Sequence, residues 1–331
     1  MRPTRAIINL AALRHNVKQI RRHLPASTRF IAVVKANAYG HGAIPVSRIA
    51  LSVGADWLAV AIPEEAVELR AAGFQAPILV LGMSLPEQAS TFADYDLVAA
   101  VGSRASLDAF DAAGQKKTSR VRIMIKLDTG MGRVGLQPTE AVDFVEQALS
   151  RSGVEVCGLF THFAAADEAD SSFTHRQLAC LQQIVQELRN KGIALPLLSA
   201  ANSAATDAFP DAHFDAVRPG IILYGLPPAP DMPLQIDLQP VMSLVTRIVH
   251  IKQVPTDTPV SYGCTHRTAR PTWLATLPVG YADGYSRQLS NKGFVLVNGI
   301  RRPVVGRVCM DPIVFALGPV CVAAVGDEEV M

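Results

Sequence analysis

The sequence predicts an N-terminal (β/α)8 TIM-like barrel over residues 1–226, followed by a C-terminal β-strand domain over residues 227–331. Two observations predict this order. Short apolar runs alternate with helical patterns up to about residue 225. Beyond the proline-rich segment 227–233 (PPAPDMP), β-branched runs continue without long helical patterns. A length of 331 residues is enough for two domains.

Eight apolar runs rich in β-branched residues are the predicted strands of the first domain, at 30–34, 57–61, 78–81, 97–101, 121–127, 156–161, 195–200 and 214–218. Helical patterns lie between them. One example is the series Leu178, Leu181, Ile184 and Leu188, which ends at Gly192. Eight alternating units in about 200 residues match a closed barrel. An open doubly wound sheet uses the same units and is the alternative.

In the second domain, β-branched runs lie at 241–254, 273–279, 294–297, 303–308 and 320–325. Gly, Asn-Gly and Pro separate these runs, as turn residues separate short strands. The pattern indicates an all-β domain.

Composition excludes several classes of protein. Charged residues make up 18% of the chain and the net charge is +2, so the sequence offers no basic field for nucleic acid. No apolar stretch approaches the roughly 20 residues of a membrane helix, and the first residues lack an export-signal pattern. The five cysteines are scattered without a C-x-x-C pair, which is typical of the reducing cytoplasm. We expect a cytoplasmic protein with no nucleic-acid or membrane partner.

In barrel enzymes the active site is built where the strands end. The first predicted strand ends at Lys35, and Tyr39 and a glycine-containing turn follow it. A lysine in this place can act as a Schiff-base nucleophile. The alternative is a lysine that extends along the barrel rim into solvent.

The loop after the fifth strand contains a G-x-G-x-x-G match over residues 130–135. A dinucleotide-binding fingerprint opens a helix directly and is followed about 20 residues later by an acid at the end of the next strand. Here Pro138 starts the helix after the third glycine, and Glu155 begins the next strand. We therefore reject nicotinamide binding and expect these glycines to let the loop direct Arg133 into the site. The alternative is a solvated arginine on a flexible loop.

The last three predicted strands end in polar residues. His162 follows the sixth strand, Ser203 follows the seventh, and Gly220 and Ile221 follow Arg218 at the end of the eighth. Loops after strands seven and eight often bind phosphate in this fold. A hydroxyl and unobstructed backbone N–H groups suit that ligand, so we expect a phosphorylated cofactor or substrate. The acids at positions 167, 168 and 170 fit a solvated helix start, and no catalytic metal is predicted.

A strand-end lysine and a phosphate site without a redox motif favour pyridoxal 5'-phosphate (PLP) as cofactor. Several motifs, in order, resemble those of the alanine racemase family: AVVKANAYGHG, KLDTGMGRVG, the THF and ANS strand ends, VRPGIILYG, VSYGCTH, LPVGYADGY and GRVCMD. The resemblance runs from Thr4 to the end of the chain. It implies a PLP-dependent isomerase that interconverts L-alanine and D-alanine, either supplying D-alanine for peptidoglycan or serving D-alanine catabolism.

The resemblance also implies catalytic roles. Both enantiomers lose their Cα proton to give the same carbanion, and the two protons leave from opposite faces. Racemisation therefore needs a base on each side of the cofactor. Lys35 would be the base for D-alanine, and Tyr262 would be the base for L-alanine. Arg218 would face the pyridine nitrogen, where many other PLP enzymes have a carboxylate, and His162 would neighbour Tyr262.

Further contacts are assigned by the same likeness. Lys126 matches a lysine that is carbamylated in some relatives and then orients Arg133. Ordinary core packing is the alternative for Met310 and Tyr281. The implied cofactor contacts are Tyr39, His162, Asn202, Ser203, Gly220 and Ile221, and the implied substrate contacts are Arg133, Met310 and Tyr281.

Tyr262 and Met310 lie in the predicted β domain, and in the family such residues complete the barrel site of a neighbour. The resemblance therefore implies a head-to-tail homodimer with shared active sites. Family members usually continue past residues 325–328, whereas this chain stops at Met331. We expect a β domain that is truncated at its C-terminus.

Other activities stay open. A serine racemase or a racemase of broad specificity would share these motifs, since pocket shape sets the substrate. A non-catalytic PLP-carrier protein of the same barrel type would lack the β domain and Tyr262. A related barrel decarboxylase would normally use an acid at the ring nitrogen in place of Arg218.

Overall fold

The computed structural model of the protein describes residues 2–330. They form two compact units: one is Asn9–Val241, and the other combines the segment up to Ile8 with the segment from Met242 onward. This division differs from the expected one at 226/227. Residues 227–241 group with the first of these units, and strand β1 (Arg5–Ile8) groups with the second because it pairs antiparallel with the strand Met242–Arg247, with Arg5 opposite Val245. The first strand of the chain therefore belongs to the C-terminal unit, which we call the β unit.

The other unit, the barrel unit, contains eight parallel strands in one sheet of order β8-β7-β6-β5-β4-β3-β2-β9. The last two strands are short and meet through hydrogen bonds from Asp215 N to Leu198 O (3.1 Å) and from Ser199 Oγ to Ala216 O (2.7 Å). These bonds close the sheet, which confirms the barrel and excludes the open doubly wound sheet. The strands are β2 (Arg29–Val33), β3 (Trp57–Val60), β4 (Ile78–Met83), β5 (Val98–Val101), β6 (Val121–Lys126), β7 (Val154–Phe160), β8 (Leu198–Ser199) and β9 (Ala216–Val217).

The helices follow from capping and from apolar spacing. In the first, the Asn9 side chain accepts hydrogen bonds from Ala11 N and Ala12 N at 3.0 Å, and one face, which includes Leu13 and Val17, is buried. The helix of residues 172–190 confirms the pattern that ends at Gly192. The α-helices are Leu10–His23, Ala43–Val53, Pro63–Ala71, Ala89–Asp94, Arg104–Lys117, Ala141–Leu149, Ser172–Asn190 and Ser203–Ala208.

The interior of the barrel is filled by side chains from the strands. Residues from opposite sides of the sheet form one buried cluster, among them Ile31, Leu79, Met124 and Phe160. This apolar layer closes the barrel beneath the ends of the strands. Polar side chains are thereby confined to the loops at that end.

The β unit is all-β, as predicted, with a five-stranded sheet β1-β10-β18-β15-β16, a three-stranded sheet β11-β14-β17 and the pair β12-β13. Every pairing is antiparallel. Its strands after β1 are β10 (Met242–Arg247), β11 (His250–Val254), β12 (Pro259–Val260), β13 (His266–Arg267), β14 (Thr272–Leu277), β15 (Phe294–Val297), β16 (Ile300–Pro303), β17 (Ile313–Gly318) and β18 (Glu328–Val330).

Two predicted strands of the β unit are wrong. The run 303–308 contributes only the end of β16 and an isolated bridge from Val304 to Phe315, and the run 320–325 has no strand partner. Val320 is 64% exposed, so its β-branched side chain does not mark a buried strand. The strand in this region is β17, in which Ile313 and Phe315 alternate with more exposed residues. No helix within residues 2–330 is long and apolar enough to cross a membrane.

Candidate active site

A cavity of about 540 Å³ lies at the ends of the barrel strands. The segments that follow five of the strands, β2, β6, β7, β8 and β9, bring ten of the predicted site residues to its wall. These ten residues are Lys35, Tyr39, Lys126, Arg133, His162, Asn202, Ser203, Arg218, Gly220 and Ile221. All predicted site residues of the barrel unit therefore share one cavity.

Lys35 is followed by a left-handed turn. Four successive residues, Ala36 to Tyr39, have φ between 51° and 54°, a region that costs non-glycine residues roughly 1–2 kcal/mol each. The turn is held by hydrogen bonds from Ala38 N to Val34 O (2.8 Å) and from Gly40 N to Ala36 O (3.0 Å). It places both Lys35 and Tyr39 on the cavity wall. Burial raises the pKa of Tyr39, so its hydroxyl stays protonated.

Arg218 is almost completely buried at the base of the cavity. Its Nη2 donates to Thr161 O (2.6 Å) and Ala200 O (3.2 Å), and its Nη1 donates to Ser199 Oγ. The guanidinium carbon lies 5.2 Å from the ring centre of Phe160. Burial lowers its pKa to about 9. Its Nε has no acceptor within residues 2–330 and is available to a ligand.

His162 lies next to this guanidinium, with its Nδ1 3.4 Å from Arg218 Nη2. Burial, together with the positive charges of Arg218 and Lys126, lowers the pKa of His162 to about 3. The imidazole is therefore neutral at physiological pH. A neutral ring that accepts at Nδ1 carries its proton on Nε2.

Lys126, the last residue of β6, is 3% exposed. Its Nζ donates to Leu127 O (3.0 Å) and lies 5.2 Å from the ring centre of Phe160, which Arg218 also contacts. Burial, and next the charge of Arg218, lower the pKa of this amine to about 7. An unprotonated fraction of this amine is therefore present at neutral pH.

The loop that carries Arg133 turns sharply, as expected. The Asp128 carboxylate accepts hydrogen bonds from Gly130 N and Gly132 N, both at 3.0 Å. At Gly135 (φ +120°) a Cβ atom would lie 2.8 Å from the carbonyl carbon of Leu127, so only glycine fits. Arg133 is exposed and lies on the cavity wall.

The segments after β8 and β9 meet at one end of the cavity. Ser203 Oγ accepts a hydrogen bond from Gly220 N (2.8 Å), and the hydroxyl of Ser203 keeps its own hydrogen to donate. A Cβ atom at Gly220 would lie 2.6 Å from Tyr39 Oη, so these groups are adjacent. Asn202 differs, because its side chain caps the helix Ser203–Ala208 by accepting from Ala205 N (3.0 Å).

The three predicted residues of the β unit are exposed, with fractions of 72% for Tyr262, 54% for Met310 and 43% for Tyr281. The segment 307–310 connects them. Arg307 O accepts from Ser261 Oγ (2.7 Å), beside Tyr262, and Cys309 O accepts from Tyr281 N (3.0 Å). The structure therefore groups these three residues on one surface region of the β unit.

Some cavity residues were not predicted from the sequence. Ala61 follows β3, Leu81 to Met83 end β4, and Val134 and Pro228 come from loops. Lys35 was found by searching the ends of the predicted strands, where barrel enzymes build their active sites. The same search would have found Ala61 and the segment from Leu81 to Met83, because they also lie at strand ends. Asp167, interpreted as part of a solvated helix start, also lies on the cavity wall.

The composition of the wall fits an anionic, phosphorylated cofactor. Four cationic residues, Lys35, Lys126, Arg133 and Arg218, line it, against one acid, Asp167. None of the four forms an ion pair within the described part of the chain. A primary amine, a guanidinium donor and the hydroxyl groups of Tyr39 and Ser203 match the carbonyl, ring nitrogen and phosphate of PLP.

Comparison with known proteins gives the family. A family model for the N-terminal domain of alanine racemase matches residues 8–228, and one for the C-terminal domain matches residues 241–331. The alanine racemase of Halothermothrix orenii is 47% identical over 330 residues, covering 100% of this chain and 87% of that protein. That of Methanococcus maripaludis is 42% identical, covering 98% and 87%.

Solved structures agree with these matches. Alanine racemase from D-cycloserine producing Streptomyces lavendulae superposes with a TM-score of 0.95 at 38% identity, covering 100% of this chain and 87% of that one. Alanine racemase from Bartonella henselae, solved with covalently bound pyridoxal phosphate, gives a TM-score of 0.90 at 29% identity, covering 100% and 90%. The matches span both units at high identity, and the chain belongs to the alanine racemase family.

Proposed function

We propose that this protein is an alanine racemase that uses PLP in the barrel cavity. The observation that carries the proposal is that Lys35, Arg218, Ser203 and Gly220 line one cavity. The side chains of its wall carry more positive than negative charge. PLP, when bound, withdraws electrons from the Cα atom of an amino acid and so makes its proton removable.

The residues of the barrel unit would have two tasks, which are to hold the reacting end of the cofactor and to hold its phosphate. Lys35 would hold the cofactor through its amine and, once released by the substrate, exchange a proton with one face of Cα. Ser203, Tyr39 and the N–H of Ile221 would hold the phosphate, because all three residues line the cavity and Gly220, which precedes Ile221, lies against both Tyr39 Oη and Ser203 Oγ. Asn202 is a weaker candidate, since its side-chain oxygen already caps a helix.

Arg218 would donate from Nε to the ring nitrogen. A guanidinium has no acceptor and keeps its proton, so the ring nitrogen would stay unprotonated. An unprotonated ring withdraws electrons less strongly, which limits transamination at some cost in racemisation rate. The neutral His162 beside Arg218 keeps this guanidinium in place without adding a second charge.

Arg133 would bind the substrate carboxylate, because it is a cavity cation without an ion-pair partner within residues 2–330. Met310 N would contribute a second contact. Carbamylation of Lys126 is part of the proposal, and its unprotonated fraction at neutral pH supports it, since only the neutral amine attacks carbon dioxide. Mass spectrometry of protein kept in bicarbonate buffer at neutral pH tests the modification.

Tyr262 would be the base for the opposite face of Cα, supplied by a second copy of the chain in a head-to-tail homodimer. Its exposure, and that of Met310 and Tyr281, suits a surface that covers another molecule. Mixing Lys35→Ala and Tyr262→Phe chains should restore activity to about a quarter of wild type, because only heterodimers contain an intact site. Failure of this mixture to exceed its components, while heterodimers form, would exclude shared sites.

The proposed chemistry has a direct test. Purified protein is mixed with PLP, and one portion is reduced with borohydride and digested to locate the cofactor. With a second, unreduced portion, exchange of the α-proton of D- and L-alanine is followed in deuterated water. We expect the cofactor on Lys35 and exchange from both enantiomers. Exchange from neither enantiomer would contradict the racemase. Faster exchange of serine than of alanine would favour the serine or broad-specificity alternative.

We also place the protein in the cytoplasm. All five cysteines are unpaired, as expected in a reducing compartment. Fractionation of the source cells, with racemase activity assayed in each fraction, tests this assignment.

A further inference from the structure

The left-handed turn after Lys35 is held from outside its own segment by Glu65. This residue is half-buried in the first turn of the helix Pro63–Ala71. Its Oε1 accepts a hydrogen bond from Ala36 N at 2.5 Å. Its Oε2 accepts from Ala61 N at 2.7 Å and from Ile62 N at 3.4 Å. One carboxylate thus connects the segment after β2 with the segment after β3.

The position of the contact on the turn matters. Ala36 is the residue directly after Lys35 and the first of the four left-handed residues. Its N–H is a backbone donor that the turn itself leaves free, since the internal bonds start from Ala38 and Gly40. A charged acceptor forms a stronger hydrogen bond than a neutral one. Glu65 therefore fixes the backbone where the unfavourable conformation begins.

The two carboxylate oxygens have separate tasks. Oε2 bonds the amides at the start of the helix, which is the ordinary function of a glutamate at the third helical position. Oε1 is not needed for that function and bonds a different loop. A glutamate that only capped its helix would leave this oxygen to solvent.

We infer that Glu65 is a positioning residue for Lys35, which holds the left-handed turn so that the lysine amine and Tyr39 enter the cavity together. The inference deepens the proposed function and rests on it for the role of Lys35. Glu65 touches neither Lys35 nor the cavity contents, and it acts through the backbone of Ala36.

Glu65→Gln distinguishes a positioning role of Glu65 from helix capping alone. Glutamine also serves at the third position of a helix, so the cap survives. The one acceptor oxygen that glutamine keeps serves the cap, and the amide nitrogen in the other position is a donor that cannot accept from Ala36 N. Glu64→Gln is the matched control, because Glu64 is exposed and, within residues 2–330, its side chain accepts a hydrogen bond from Gln88 Nε2 alone, at 3.4 Å.

Two measurements are made on each variant. Hydrogen exchange of the apo protein, followed by mass spectrometry on a peptide covering residues 34–42, requires no cofactor. Borohydride reduction with PLP, followed by mass analysis of the peptide containing Lys35, reports how well the amine is placed. Loss of a charged hydrogen bond should speed exchange about tenfold and raise the PLP concentration for half-maximal trapping about tenfold.

The outcomes decide the inference separately from the proposed function. Faster exchange and weaker trapping in Glu65→Gln alone support it. Behaviour equal to Glu64→Gln, or faster exchange with unchanged trapping, overturns it. If the wild type does not trap PLP at Lys35, the proposed function fails, and with it the positioning role. Should Glu65→Gln not fold, Glu65→Asp replaces it, because the shorter carboxylate cannot span both loops, and the same results are expected.

Discussion

The barrel unit and the β unit present their predicted site residues in opposite ways. In the barrel unit ten residues line one cavity, and two of them, Arg218 and Lys126, are each 3% exposed. In the β unit Tyr262, Met310 and Tyr281 lie on turns and are exposed. The residues of the barrel unit form the wall of a cavity, and the residues of the β unit form an exposed surface region. The difference teaches that the cavity is already formed within the barrel unit, whereas the role proposed for the three residues of the β unit depends on association with a second copy of the chain.

The largest expected effect is in the barrel unit. Lys35→Ala removes the amine that would hold the cofactor and move the proton, so racemisation should fall by at least about 10⁴-fold. Trapping of PLP by borohydride should disappear. Lys191→Ala, which removes a surface lysine paired with Glu146, should leave both unchanged. Trapping of PLP on another lysine of the Lys35→Ala variant would contradict Lys35 as the residue that holds the cofactor.

The next effect tests the β unit. Tyr262→Phe removes one hydroxyl, and exchange of the α-proton of L-alanine should fall about 10²–10⁴-fold. Exchange from D-alanine should persist, since Lys35 is intact. Tyr95→Phe, at an exposed tyrosine of the barrel unit, is the control. Equal losses for both enantiomers would contradict a base that acts on one face only.

A third test concerns the buried guanidinium. Arg218→Glu places a carboxylate against Thr161 O and Ala200 O, which the arginine now bonds, and it reverses the charge at the ring nitrogen. Racemisation should fall about 100-fold, with an increase in transamination products. Thermal unfolding is measured alongside, with Arg218→Lys as the charge-conserving control. An unchanged rate and product mixture would remove this role.

The smallest effect is on acid stability of the barrel unit. The folded state lowers the pKa of His162 to about 3, so the unfolded chain takes up a proton first as the pH falls. Stability is lost from the ordinary pKa of about 6.5 downwards, by about 2 kcal/mol between pH 7 and pH 5. Urea unfolding at both pH values should show a smaller loss for His162→Gln, which does not titrate. An equal loss would assign the effect to other groups.

The sequence predicted the barrel unit closely because its strands are short apolar runs between helical patterns, and the strand-end rule then located its polar residues. The β unit was harder. Val320 and Val325 have the composition of a strand but are exposed, whereas β17 was not predicted, and its six residues (IVFALG) include no polar residue that would mark the exposed face of a strand. Pairing of β1 with β10 is a contact between residues more than 230 positions apart, which local patterns do not report.

The sequence located ten residues that line one cavity, but it did not predict the contacts that support them. The Glu65 contact with Ala36 joins loops 29 positions apart, and nothing in the local pattern distinguishes Glu65 from Glu64. The depressed pKa of Lys126 likewise depends on Arg218, which is near in space and far along the chain. Charge and burial at the site are tertiary properties and require the fold.

Strand β1 also sets the order in which the protein can be made. On the ribosome, residues 5–8 emerge before every strand of the barrel, and their partner β10 emerges more than 230 residues later, after every strand of the barrel. The β unit therefore cannot be completed during synthesis of the barrel. A fragment that starts at Met242 lacks one edge strand and exposes the free edge of β10, which favours aggregation. Expression of the β unit by itself needs residues 2–8 supplied by a linker or as a separate peptide.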